Sequence, residues 1–110
     1  MNFSPDTKQK IITDMCDMIK CATVSYQDDS LADAKQFDNF KKLLKSRFPT
    51  IYKQEVFSVG KTGIVHKISG SEASTNNKAQ VLMAHYDVVP ALQEEWDFPA
   101  FCGDVVQTSQ

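Results

Sequence analysis

No stretch of this 110-residue sequence stays apolar over the roughly 20 residues that a membrane-spanning helix needs. The opening residues, Met1-Asn2-Phe3-Ser4-Pro5-Asp6, lack the basic stretch and apolar core of a secretory signal, which leads us to expect the cytoplasm. Excess charge is missing too. The formal net charge is −2 at pH 7, with 12 Lys and Arg against 14 Asp and Glu. That balance gives no electrostatic pull toward nucleic acid or acidic membranes as partners. The densest basic group, Lys41, Lys42, Lys45 and Arg47, reads as the solvated face of a helix. Cysteine is scarce and odd in number: Cys16, Cys21 and Cys102 fit neither a disulfide framework nor a CxxC metal knuckle. They read as buried, unreactive thiols. Phosphate-binding glycine fingerprints are absent as well, since Gly60 and Gly63 alone say nothing about phosphate.

What is present is ordinary globular material, 42% hydrophobic and 24% charged, which excludes disorder along the whole chain. A first helix is expected over about Asp6 to Cys21. Ser4 stands as its N-cap, Pro5 suits the first helical position, and Asp6 favours the positive end of the dipole. Ile11, Ile12, Met15, Met18, Ile19 and Ala22 recur at three- and four-residue spacing and predict one apolar stripe. Thr23 to Asp29 is polar and reads as a connection. A second helix is expected over about Leu31 to Phe48, with Ser30 and Asp33 at capping-box spacing and Phe37, Phe40, Leu44 and Phe48 on the buried face. Pro49 ends it.

The period then changes. Tyr52 to Val59 is rich in β-formers, Gly60-Lys61-Thr62-Gly63 is a turn, and Ile64, His66 and Ile68 alternate with Val65 and Lys67, so a hairpin is expected. Residues 70–78 are small and polar and read as a surface loop. Ala79 to Ala84 is a nearly continuous apolar run, expected as a strand buried on both faces. Two helices, a hairpin and a buried strand predict an α/β fold.

The chemistry gathers where that run ends, in Met83-Ala84-His85-Tyr86-Asp87-Val88-Val89-Pro90. Ligands in α/β sheets bind beyond the carboxyl ends of strands. In extended backbone, residues i and i+2 point to the same side, so His85 and Asp87 would share one space. Imidazole nitrogen is a good zinc ligand, and a nearby carboxylate can accept its other N–H, fixing the tautomer. Spacing alone leaves two readings open: a metal ligand with its partner, or a strand-end histidine beside a turn aspartate.

The residues around the pair add more. Leu82 to Pro90, followed by Trp96, Pro99, Phe101 and Gly103, resembles the co-catalytic zinc aminoacylase and carboxypeptidase family. Thr23-Val24-Ser25-Tyr26 and Phe48-Pro49 are similar to its carboxypeptidase S and N-acyl-amino-acid hydrolase branch. The resemblance spans nearly the whole chain. It implies a zinc exopeptidase-like fold, with residues 1–110 as the opening part of a catalytic domain and no dimerisation domain. It also implies two zinc ions in a complete enzyme, with His85 ligating one of them and Asp87, the candidate catalytic residue, orienting that histidine. The substrate would be a peptide or an N-acyl amino acid. Trp96, Pro99 and Phe101 resemble a segment that packs beside the site.

The ending departs from the family. A glycine-arginine-glycine stretch leading to a bridging aspartate is expected next, then a glutamate base and further ligands. The sequence instead reads Gly103-Asp104-Val105-Val106-Gln107-Thr108-Ser109-Gln110. Asp104 lies too early for the bridging role and lacks its motif. His66 reads as a core or edge histidine, and Glu94 and Glu95 as solvated loop residues. One dependable ligand is too few for a catalytic zinc, which keeps about three protein ligands. The chain alone is therefore expected to hold zinc weakly and not to turn over, and uncovered apolar surface predicts self-association. A non-enzymatic binding or regulatory module on the same scaffold is the alternative. A small metal-binding protein is disfavoured by the cysteine spacing.

Overall fold

A computed structural model describes residues 2–71 and 78–107. The chain divides into two compact units. One combines Met1–Arg47 with Asp87–Gln110, and the other is Phe48–Tyr86.

The first unit begins with helix α1, Pro5–Ile19. Its start follows local chemistry. The Ser4 hydroxyl oxygen accepts the Thr7 amide at 3.2 Å, Pro5 takes the position where no amide is needed, and Asp6 sits in the first turn. The second helix, α2, runs Ala34–Arg47 and starts later than its apolar pattern suggests. Before it, Asp29–Leu31 forms a single 3-10 turn whose Ser30 amide is held by the Asp28 carboxylate at 2.9 Å. Asp33 then accepts the Lys35 amide at 2.9 Å and caps α2 itself. Ser30 and Asp33 therefore serve different turns, and no capping box joins them.

Phe37 and Phe40 of α2 are buried as expected, while Leu44 is half-buried. Helix α1 packs differently from its pattern. Ile11, Ile12, Met15 and Ile19 of the apolar stripe are exposed, and the most buried residue of the helix is Asp14, at 5%. The reason is an ion cluster. Arg47, in the last turn of α2, donates to Asp17 Oδ2 at 2.6 Å and lies 3.3 Å from Asp14 Oδ1, while Lys10 pairs with Asp14 from one turn earlier. A charge at 5% exposure is tolerable only when paired, so Asp14 and Asp17 turn the acidic side of α1 toward Arg47.

The second unit is built on an antiparallel hairpin, β1 Glu55–Val59 and β2 Gly63–Lys67, with Glu55 opposite Lys67 and Val59 opposite Gly63. Gly60 opens the turn at φ 58, a left-handed conformation that glycine adopts without the clash a Cβ brings. A 3-10 turn at Ile51–Lys53 precedes β1, so the strand is shorter than its run of β-formers. His66 is half-buried and meets the Tyr52 ring edge-on, centroids 4.7 Å apart, which agrees with a packing role.

One expected element is absent. Residues 79–84 form no strand, and Val81, Leu82 and Met83 are 78%, 96% and 91% exposed. A strand covered on both faces needs neighbours on both edges, and β1 and β2 make the two-stranded sheet among the described residues. The fold is thus mixed helix and strand, without the buried strand. Of the expected loop over 70–78, residues 72–77 lie outside the described residues.

Replacing Arg47 with Ala should lower the urea-unfolding stability of the α-helical signal by about 2 kcal/mol. That is less than a fully buried pair would cost, because the guanidinium is partly solvated. An Arg47→Lys variant should recover only part of the loss, since one ammonium cannot span both carboxylates.

Candidate functional site

The two residues singled out by sequence lie on either side of the division between units, which falls between Tyr86 and Asp87. His85 closes the hairpin unit and is exposed. Its neighbour Tyr86 donates its hydroxyl proton to the Thr62 carbonyl at 2.5 Å, which fastens the end of this segment to the hairpin turn. His85 is therefore carried beside a fixed residue, although the run before it makes no ladder.

Asp87 is half-buried in the helical unit, and its surroundings are more fully built. The chain leaving α1 turns sharply, with the Thr23 amide on the Cys21 carbonyl at 2.7 Å and the Val24 amide on the Ala22 carbonyl at 2.9 Å. Val24 then pairs with Val88 in a parallel bridge. The Val88 amide donates to the Thr23 carbonyl at 3.0 Å, and the Ser25 amide donates to the Val88 carbonyl at 2.9 Å. Thr23 is 2% exposed, the most deeply buried side chain of the described residues. Beside this bridge the Ser25 hydroxyl donates to Asp87 Oδ2 at 2.8 Å. The carboxylate is thus held by a neutral donor from a segment more than sixty positions away, whose own backbone is pinned on both sides.

Thr23 and Ser25 had read as part of a polar connection. The clue that could have raised them was the Thr-Val-Ser-Tyr likeness, because periodicity gives no signal in four residues.

The segment after Asp87 is shaped by its own side chains. Gln93 brackets the loop, donating to the Phe98 carbonyl at 3.1 Å and accepting the Ala100 amide at 3.2 Å. Gly103, at φ 63, lies against the Cys16 carbonyl of α1, where a Cβ would collide with backbone. Trp96 is 54% exposed, Pro99 is exposed and Phe101 is half-buried. Glu94, Glu95 and Asp104 are exposed. Among the described residues no three His, Cys, Asp or Glu side chains come together as a group that could hold a metal ion. His85 has the right donor chemistry for one position of such a group.

Curated relatives match the sequence of this chain along most of its length. An N-fatty-acyl-amino acid synthase/hydrolase of Mus musculus is 30% identical over 104 residues, covering 92% of this chain and 20% of the relative. A probable carboxypeptidase S-like protein of Dictyostelium discoideum is 33% identical over 78 residues, 69% of this chain and 16% of the relative. The chain is similar to a segment of the family that includes carboxypeptidase S-like proteins and the N-fatty-acyl-amino acid hydrolases. The human N-fatty-acyl-amino acid synthase/hydrolase matches at 31% over 88 residues. The chain spans about a fifth of the length of these relatives. No family model matches, and no solved structure matches.

The three cysteines are free and half-buried rather than fully buried. Burial, and then the nearby Asp17 carboxylate, push the Cys21 thiol above its ordinary range. Cys21 should accordingly be alkylated by iodoacetamide more slowly than a free cysteine at pH 8, with the rate still climbing at pH values where the free thiol has levelled off. Gly103→Ala should cost more than about 1 kcal/mol in urea unfolding, since it adds both a forbidden φ and a backbone collision.

Proposed function

We propose that the protein containing this segment is a zinc-dependent hydrolase of amide bonds, acting on peptides with a free C-terminus or on N-acyl amino acids. In this reading the segment belongs to a zinc exopeptidase-like catalytic domain. His85 is one zinc ligand, with further ligands outside the described residues, and Asp87 accepts the second imidazole N–H. A bound zinc polarises an amide carbonyl and makes bound water acidic. The residues of this chain prepare for that chemistry. An imidazole whose far N–H is held by a carboxylate keeps one tautomer and one ring orientation, and its coordinating nitrogen is more basic.

The observation that supports this reading most is the anchoring of Asp87. A solvated turn aspartate needs no partner, yet this one receives a hydroxyl from a segment whose backbone is paired to its neighbour Val88. The relatives support this reaction class, one being an N-fatty-acyl-amino acid synthase/hydrolase and another a probable carboxypeptidase S-like protein.

Dialysed to equilibrium, the 110-residue chain should retain less than about a tenth of an equivalent of zinc, since one ligand gives weak affinity. Weak zinc binding measured by titration should depend on His85, falling further in His85→Ala. The chain alone should not hydrolyse N-acyl amino acids. Near one equivalent held tightly and lost in His85→Ala would overturn the incomplete ligand set. Titration curves identical for wild type and variant would remove His85 from the metal.

A further inference from the structure

The proposed chemistry draws support from the anchoring of Asp87 but gives no task to Ser25, which supplies that anchor from the Thr23-Val24-Ser25 segment. Three interactions converge there: the Val88 amide on the Thr23 carbonyl at 3.0 Å, the Ser25 amide on the Val88 carbonyl at 2.9 Å, and the Ser25 hydroxyl on Asp87 Oδ2 at 2.8 Å. The two backbone bonds fix where Ser25 stands relative to residue 88. Thr23, at 2% exposure, anchors the segment to the unit. The side-chain bond then selects one carboxylate oxygen of the residue next door.

We propose that Ser25 is a positioning residue, whose hydroxyl sets the rotamer of Asp87 and so the direction its carboxylate presents to the imidazole it serves. Why that direction matters rests on the hydrolase reading. The clamp itself does not. A carboxylate has two oxygens and a freely turning χ2, so without a fixed donor it samples a broad range of orientations. A hydroxyl donated to one oxygen narrows that range, and charge-assisted hydrogen bonds are the stronger class. Serine also fits by size, since the donor must reach the carboxylate from a backbone that is already paired to its neighbour. Threonine at this position keeps the hydroxyl on the same carbon and the β-type backbone it needs, and alanine removes the donor alone.

The test uses the chain with Ser25→Ala and Ser25→Thr, read in three ways. Amide hydrogen exchange at Ser25 and Val88 reports whether the bridge persists. The carboxyl carbon resonance of Asp87 at fixed pH reports the clamp without any metal. Direct zinc titration followed on the His85 ring resonances, which suits weak binding, reports the consequence. With the bridge protected in all three proteins, Ser25→Ala should move the Asp87 resonance and weaken His85-dependent zinc affinity by about tenfold, the low end for partners of metal ligands. Ser25→Thr should return both to the wild-type values. An unmoved Asp87 resonance in Ser25→Ala overturns the clamp, as does a Ser25→Thr protein that keeps its bridge but behaves like the alanine variant. Should alanine break the bridge, the threonine variant decides by the same resonance. A shifted resonance with unchanged His85-dependent zinc affinity would overturn the positioning role. If zinc affinity proves indifferent to His85→Ala, the metal reading fails, and the Asp87 resonance alone still rules for or against the clamp.

Discussion

Two backbone hydrogen bonds through Val88 join stretches of chain more than sixty residues apart, and the helical unit depends on them. Thr23 and Ser25 lie just past the end of α1, and Val88 follows Asp87 at the start of the later stretch of the same unit. Closing a loop of that length costs several kcal/mol of chain entropy, so a pair of amide bonds could not hold it unaided. The contact is supported from both sides: Thr23 is buried beneath it, and Gly103 lies flush on the Cys16 carbonyl near the end of α1. A residue with a Cβ could not make that approach, so the glycine lets the later stretch lie against the helix.

The same unit shows how a buried charge can redirect a helix. By hydrophobic pattern α1 would turn its isoleucines and methionines inward. Arg47 instead gathers Asp14 and Asp17, and Lys10 completes the neutralisation. Within this unit the apolar stripe of α1 stays exposed. Ion pairs of this kind contribute little net stability compared with apolar packing, but they are specific in direction. They fix which side of α1 faces α2, and it is not the side that the hydrophobic residues alone would have chosen.

For function, the asymmetry between His85 and Asp87 is informative. The histidine is exposed at the end of a run with no ladder, beside a tyrosine tied to the hairpin turn. The aspartate sits in a built environment with a dedicated donor. In a metal centre the residue that orients a ligand must be the rigid one, because a ligand's direction is only as well defined as the group it leans on. The aspartate that the family resemblance pairs with the histidine is thus the one with the more fully built surroundings.

Features governed by neighbours in sequence were legible from the sequence itself. Ser4 and Pro5 started α1 where expected, Gly60 marked the hairpin turn, and the alternation of Ile64 and His66 identified β2, because capping, φ and side-chain alternation are local properties. The family likeness was legible too, carried by a contiguous motif around His85 and Asp87. Tertiary structure alone decided the rest. The stripe on α1 predicted the wrong buried face, because the choice was made by an arginine thirty residues away from Asp17. The apolar run at 79–84 expressed a preference for burial but could not specify a strand, which exists only when another backbone pairs with it. Ser25 looked like any polar residue in a connection until folding brought its hydroxyl to Asp87, because a hydrogen bond across sixty-two positions leaves no periodic trace in the sequence.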